Sequence, residues 1–244
     1  MYDAVNQVFD IGMNVIQKIR ATQSEKLDEA GKLIARTHME GHKFFVTGSG
    51  HSHMVAEEFY GRAGGLAFPI PIMTTELTLV EHPTKSSYLE RLPGYAPILA
   101  DLYGISEGDL VLVASNSGRN AYSVEIALCA KEAGAKVIAI TSVDHSSKTS
   151  SRHASGKKLM DLADIVIDNC GVEGDSALKM EGMRASTCPT SSMANAFIVQ
   201  AMVAACSEEM LKKGMEPPVF ISLNSDGNEA VNEKLFAKYT RTYK

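Results

Sequence analysis

The sequence predicts an α/β fold, a doubly wound five-stranded parallel sheet with helices before its first strand. Three observations carry this. Short runs rich in Val and Ile alternate with helix-like stretches, the pattern of βαβ units. Glycine punctuates the joints: Gly134 ends a helix just before Lys136, and Gly108 with Asp109 opens another strand. Crossovers of this kind are almost always right-handed, which puts helices on both faces of the sheet.

The elements follow in order. Before the first strand, apolar positions at Val5, Val8, Phe9, Gly12, Val15, Ile16 and Ile19, then Leu27, Leu33 and Ile34, suit two amphipathic helices broken near Ala21 to Ser24. They are few and not basic, so a DNA-binding domain is excluded. Residues 1–40 are expected as a helical segment packed on the core or on a partner subunit, and residues 41–244 as the main domain. The strands are FFVTG after Lys43, FPIPIMT from Phe68, LVLVAS after Asp109, KVIAITS from Lys136 and ADIVIDNC from Ala163. Pro189 to Lys213 reads as one long apolar helix and Asn228 to Tyr239 as a short terminal one. Thr74 to Ser106, with Pro83, Pro93, Gly94 and Pro97, is the least regular stretch, and a connection of that length between strands commonly carries function. The serine-rich SSKTSSRHAS from Ser146 to Ser155 is expected as a mobile loop.

Composition narrows the function. In 244 residues, 24 Lys plus Arg against 29 Asp plus Glu give a net charge of −5, so no global basic field exists to hold nucleic acid. Cys129, Cys170, Cys188 and Cys206 form no CxxC pair and no zinc-finger spacing, which fits buried thiols in a reducing compartment. The opening MYDAVNQVFD lacks the pattern of an export signal. The longest apolar run, Met193 to Cys206, is interrupted by Asn195 and Gln200 and is too short to span a bilayer. A cytoplasmic protein with no membrane or nucleic-acid partner is expected.

Two turns carry the chemistry. The first strand ends in Gly48-Ser49-Gly50-His51-Ser52 just before a helix, so backbone N–H groups and a hydroxyl converge at a positive helix start. His53 replaces the third glycine of GxGxxG and no GKS or GKT is present, so dinucleotide and P-loop readings fit poorly. The third strand ends in Ser115-Asn116-Ser117-Gly118-Arg119-Asn120, with Asn120 placed to cap the next helix. Strands flanking a topological switch point bring such turns together. Hydroxyl and amide donors without a cluster of Lys or Arg suit a phosphate monoester held by neutral hydrogen bonds.

With both turns in view, GSGHS and SNSGRN resemble the phosphate-binding turns of the sugar isomerase (SIS) domain family, over about Lys43 to Leu211. The resemblance implies a five-stranded sheet of flavodoxin-like strand order, a homodimer or homotetramer, and a phosphorylated sugar as ligand. Carried over by position, it implicates Gly50, Ser52, Ser115, Ser117 and Asn120 in holding phosphate, with Asn116 touching phosphate or sugar. Pro189-Thr190-Ser191-Ser192 resembles the stretch that closes the pocket in relatives, implicating Ser191 and Ser192.

An aldose–ketose isomerase must move a proton between carbons beside a carbonyl, which requires a carboxylate or imidazole. On the helix after Ser52, Glu58 falls within one arc of about 140° with Met54, Val55, Phe59 and Arg62, while Glu57 points elsewhere. Two reasons fit a carboxylate on that face: an i, i+4 ion pair with Arg62, or a catalytic base whose pKa is raised by burial. AEEFYGR, from Ala56 to Arg62, is similar to the acidic helix of phosphoheptose isomerases, although the metal-ligating histidine of that group is Met54 here. Glu76 and His82 are further acid/base candidates from the long connection. His51 and His53 flank the phosphate turn as imidazoles of the pocket; they diverge once the helix begins, so no metal is expected. Arg119 and Lys85 add charge at the mouth, and Lys148, Arg152, Lys157 and Lys158 are expected as a solvated face. No cofactor is expected. Besides an isomerase, the residues admit a phosphosugar-sensing regulatory module without catalysis, or a lyase or etherase acting on an amino-sugar phosphate.

Overall fold

The computed structural model describes residues 3–224 and 229–240. In chain order the elements are α1 (Asp3–Met39), β1 (Phe44–Gly48), a 3-10 turn (Gly50–His53), α2 (Met54–Phe59), β2 (Ile70–Ile72), a second 3-10 turn (Thr75–Leu77), α3 (Lys85–Leu89) and α4 (Tyr95–Tyr103). Next come β3 (Leu110–Ala114), α5 (Ala121–Glu132), β4 (Lys136–Thr141), α6 (Val143–Ser147), a third 3-10 turn (Leu159–Asp161) and β5 (Ile165–Asp168). A hairpin of β6 (Ser176–Leu178) and β7 (Thr187–Pro189) leads into α7 (Ser191–Lys212), and α8 (Glu229–Tyr239) follows.

Five parallel strands run in the order β2-β1-β3-β4-β5. The chain leaves β1 toward β2 and then returns past β1 to β3, so the switch point lies between β1 and β3. Alternate residues of each strand supply the two faces. Phe44, Val46, Leu110, Leu112, Ile138 and Ile165 pack under α1, α2 and α7, whereas Phe45, Val111, Val113, Val137 and Ala139 pack under α4 and α5. Phe59 of α2 meets Phe44 edge-on at 5.4 Å, which pins the short helix that carries Glu58 to the sheet.

Three expectations need correction. The N-terminal segment is one helix, not two. Around the anticipated break, Thr22 Oγ1 donates to the Lys18 carbonyl at 2.8 Å and Ser24 Oγ donates to that of Arg20, so both hydroxyls are satisfied within the helix. Gln23, buried between them, accepts from the Asp168 backbone N–H at 3.1 Å and ties α1 to the end of β5. The 74–106 connection is not irregular throughout, because it folds into α3 and α4. The serine-rich segment begins within α6, and its remainder is fastened to the turn after β3, where the Arg152 N–H donates to the Arg119 carbonyl at 2.8 Å. The hairpin β6–β7 has no counterpart in the sequence expectation. For the terminal helix, Asn228 lies outside the described residues.

A Cβ at Gly31 of α1 would stand 2.5 Å from the Ala205 Cβ and 2.8 Å from the Met202 carbonyl oxygen of α7, so Gly31→Ala should destabilise the chain by about 1–3 kcal/mol in urea unfolding. His38 stacks on Phe68 at 3.9 Å, and burial, then the Lys238 charge, hold its imidazole below its ordinary value. The folded chain therefore binds fewer protons than the unfolded one just below about pH 6.5, so this group's stabilisation is complete above that pH and is lost as pH falls through the lowered value. The acid-side slope of the unfolding midpoint should flatten in His38→Phe.

Candidate functional site

The turns after β1 and β3 leave adjacent strands whose last residues, Gly48 and Ala114, are paired in register. The first turn must fold back over its own strand: a Cβ at Gly48 would stand 2.5 Å from the Ser52 carbonyl oxygen, and Gly50 has a φ of +57°. In the second, Ser115 Oγ accepts from the Gly118 N–H at 3.1 Å, and Gly118 sits at a φ of +58° with Leu159 against it. The hydroxyls of Ser52 and Ser117 make no hydrogen bond with protein among the described residues. That of Ser115 is committed to its own turn.

Asn120 stands at the N-cap position of α5, yet its side chain does not cap the helix. It is buried, and its Oδ1 accepts from Arg152 Nη1 at 3.1 Å. Arg152 therefore touches this turn while staying exposed, as the solvated-face expectation has it. Burial, then the charges of Arg119 and Arg91, lower its guanidinium from the ordinary value against an opposing pull from Glu90. Arg119 Nη2 reaches Ser150 Oγ at 3.5 Å, and its Nε is buried without a hydrogen-bond partner among the described residues. Glu90 joins the two turns, because its carboxylate accepts from Ser49 Oγ at 2.7 Å and its carbonyl from the Tyr122 N–H at 2.9 Å. The expectation of a site without clustered cations is corrected: Arg119 of the second turn and Arg152, far from it in sequence, stand together there. Lys85 instead pairs with Glu81.

Beside the turns, His51, Met54, Val55, Glu58, Ser192, Asn195 and Ala196 line one cavity between α2 and the start of α7. Glu58 keeps 21% side-chain exposure at its rim, so it is not sealed within the apolar face. Its Oε1 takes both the ion pair with Arg62 and a 2.6 Å hydrogen bond from Gln200 Nε2. Oε2 has no protein partner among the described residues. His51 faces the cavity, whereas His53 turns away, its Nδ1 against the Gly50 carbonyl and its Nε2 3.6 Å from Glu57. Ser192 lines the cavity. Ser191 does not; its hydroxyl donates to Asp175 Oδ2 at 2.6 Å. Asp175, itself at a φ of +65°, also accepts from the N–H groups of Thr190 and Ser191 and so caps α7 from the hairpin.

The structure does not bring Glu76 or His82 into this cavity. Glu76 is held below the ordinary carboxylate value by its own backbone N–H and the Thr74 hydroxyl, which weakens it as a base. His82 is exposed, with Nδ1 accepting from the Thr84 N–H at 3.3 Å. Among the described residues, no three of His, Cys, Asp and Glu gather as metal ligands. No described helix is long and apolar enough to cross a membrane. Sequence reasoning missed Asp175, Asn169 and the roles of Asn195 and Gln200. The last two had left a signal, as polar interruptions of the apolar α7.

An open, doubly wound sheet with hydroxyl-bearing turns and a cavity at its switch point defines a class of small-ligand-binding α/β proteins. Comparison with known sequences is more specific. The model of the SIS domain matches residues 9–142, more than half of the chain. A UPF0309 protein of Halalkalibacterium halodurans is 41% identical over 227 residues, covering 93% of this chain and 94% of its own. Another, of Thermoanaerobacter pseudethanolicus, is 45% identical over 233 residues, covering 94% of each. The chain belongs to the SIS domain family, alongside the UPF0309 proteins. Among solved structures, phosphoheptose isomerase GmhA from Neisseria gonorrhoeae is similar with a TM-score of 0.56 at 18% identity, covering 85% of this chain and 97% of that one. A ligand-bound protein of Escherichia coli CFT073 has a TM-score of 0.51 at 17% identity, covering 86% and 90%. At these identities the likeness is one of fold.

The geometry of the turns separates fold from binding. Gly48→Ala should cost about 1–3 kcal/mol in urea unfolding because the displaced atoms are backbone, whereas Ser117→Ala should stay within about 0.5 kcal/mol of wild type.

Proposed function

We propose that the chain binds a phosphorylated sugar, with the phosphate between the Ser52 and Ser117 turns and the sugar carbons in the cavity of His51, Glu58 and Ser192, and that it interconverts aldose and ketose forms. The carrying observation is the pair of free hydroxyls on turns that leave register-paired strands, with a carboxylate-bearing cavity beside them. Phosphate held away from the reacting carbons anchors the substrate while leaving the chemistry to other groups. Gly50, Ser115, Asn116 and Asn120 shape the phosphate turns in this reading. Membership of the SIS family and the fold shared with a phosphoheptose isomerase support it.

Glu58 is the base in this proposal. Arg62 and Gln200 fix Oε1, which leaves Oε2 to take a proton from the carbon beside the carbonyl and return it to the neighbouring carbon through an enediol. No redox cofactor enters this balance, since one carbon is oxidised as its neighbour is reduced. Exposed Val8, Phe9 and Met13 on α1 support a homo-oligomer.

Calorimetry with a panel of aldose and ketose phosphates tests the binding. The wild type should bind at least one of them, and the Ser52→Ala/Ser117→Ala double variant should bind it at least about tenfold more weakly. Glu58→Gln should retain binding and lose turnover by about a hundredfold or more. Binding without turnover in the wild type would favour the sensing module, and elimination from an amino-sugar phosphate would favour the lyase. No binding by any sugar phosphate would remove the proposal.

A further inference from the structure

A chain of three carboxamides runs beneath the cavity. Asn116 belongs to the second serine turn, Asn169 follows β5, and Asn195 lies on α7 and lines the cavity with His51, Glu58 and Ser192. Asn169 Nδ2 donates to Asn116 Oδ1 at 3.0 Å and to Asn195 Oδ1 at 3.2 Å, while Asn169 Oδ1 accepts from the Gly171 N–H at 2.9 Å. Asn169 is 1% exposed, so none of these partners can be exchanged for bulk water without cost.

The chain has only one consistent orientation. A backbone N–H is always a donor, so the atom of Asn169 that faces Gly171 must be oxygen. Its other terminal atom is then the NH2 group, and both of its hydrogens are spent on the two neighbouring amides. Asn116 and Asn195 must each turn their oxygen toward Asn169, which directs their NH2 groups away from it. Neither Nδ2 donates to protein among the described residues, and neither is a buried orphan, so both reach open space. Packing holds the chain in place: a Cβ at Gly171 would stand 3.0 Å from Asn169 Oδ1 and 3.6 Å from Asn116 Oδ1.

We infer that Asn195 presents at the cavity wall a carboxamide donor, preset by Asn169 as a positioning residue, for the sugar oxygen that gains negative charge in an enediolate. This rests on the proposed isomerase reading and adds a ligand preference to it. As Glu58 Oε2 removes the carbon-bound proton, electron density passes to the carbonyl oxygen, and a donor already oriented at the cavity wall stabilises that charge without reorganising. A site built this way favours a planar, anionic ligand head over phosphate alone.

The test uses the full chain with two probes, inorganic phosphate and a phosphorylated aldonohydroxamate, whose planar anionic head imitates the enediolate. Wild type should hold the hydroxamate at least about a hundredfold more tightly than phosphate. In Asn169→Asp, where an acceptor replaces the shared donor, that margin should shrink by at least about tenfold with phosphate affinity within about twofold of wild type. Asn195→Leu, which removes one donor at the cavity wall, should do the same and guards against misfolding of the first variant. A margin untouched by both variants, or equal losses for both probes, would overturn the subsite. A wild type that binds phosphate but holds the hydroxamate no more tightly overturns the subsite alone, and one that binds neither overturns the isomerase reading with it.

Discussion

The parallel hydrogen-bond ladder between β1 and β3 is the constraint on which the site depends. Parallel strands in register end at the same edge of the sheet, so pairing Gly48 with Ala114 sets the two serine turns side by side. The apolar residues that hold this ladder, Phe44 to Val46 and Leu110 to Val113, are fully buried on both faces and have no freedom to slip. A one-residue slip would turn every core side chain to the wrong face and break the Gly48–Ala114 pairing from which both turns leave. The site is thus a consequence of core packing, reached through main-chain hydrogen bonds.

Around that edge, charge and neutral polarity are divided. Arg119 and Arg152 stand at the second turn, with Glu90 set between the two turns. Toward α7 the groups are carboxamides, Asn116, Asn169 and Asn195, with the single carboxylate of Glu58 on the opposite wall. In the proposed reading, charge would draw an anionic group to one side, and neutral donors would meet an uncharged polyol on the other. This division favours one ligand orientation over its reverse.

Much of the fold was legible because strands buried on both faces write themselves as unbroken Val/Ile runs: all five sheet strands lie within the segments expected from Phe44, Phe68, Leu110, Lys136 and Ala163. Strand order was not readable from those runs and came with the resemblance that the two turns carry. The helix break was misplaced because Thr22 and Ser24 satisfy themselves on carbonyls four residues back, which composition cannot show. The hairpin escaped because its strands are three residues each. In the site, local motifs were visible and distant partners were not. Ser52 and Ser117 announce themselves by glycine neighbours, whereas Arg152 was hidden in a serine-rich stretch and Asn169 at the end of an ordinary strand. Glu76 and His82 were attractive only as residue types; the fold engages Glu76 with its own backbone and leaves His82 on the surface.

The most direct measurement is a crystal structure of the chain with an aldose or ketose phosphate bound. The account requires phosphate oxygens within about 2.5–3.2 Å of both the Ser52 and Ser117 hydroxyls, with the sugar carbons reaching toward Glu58. A phosphate bound elsewhere, or one touching only one of the two turns, would contradict it.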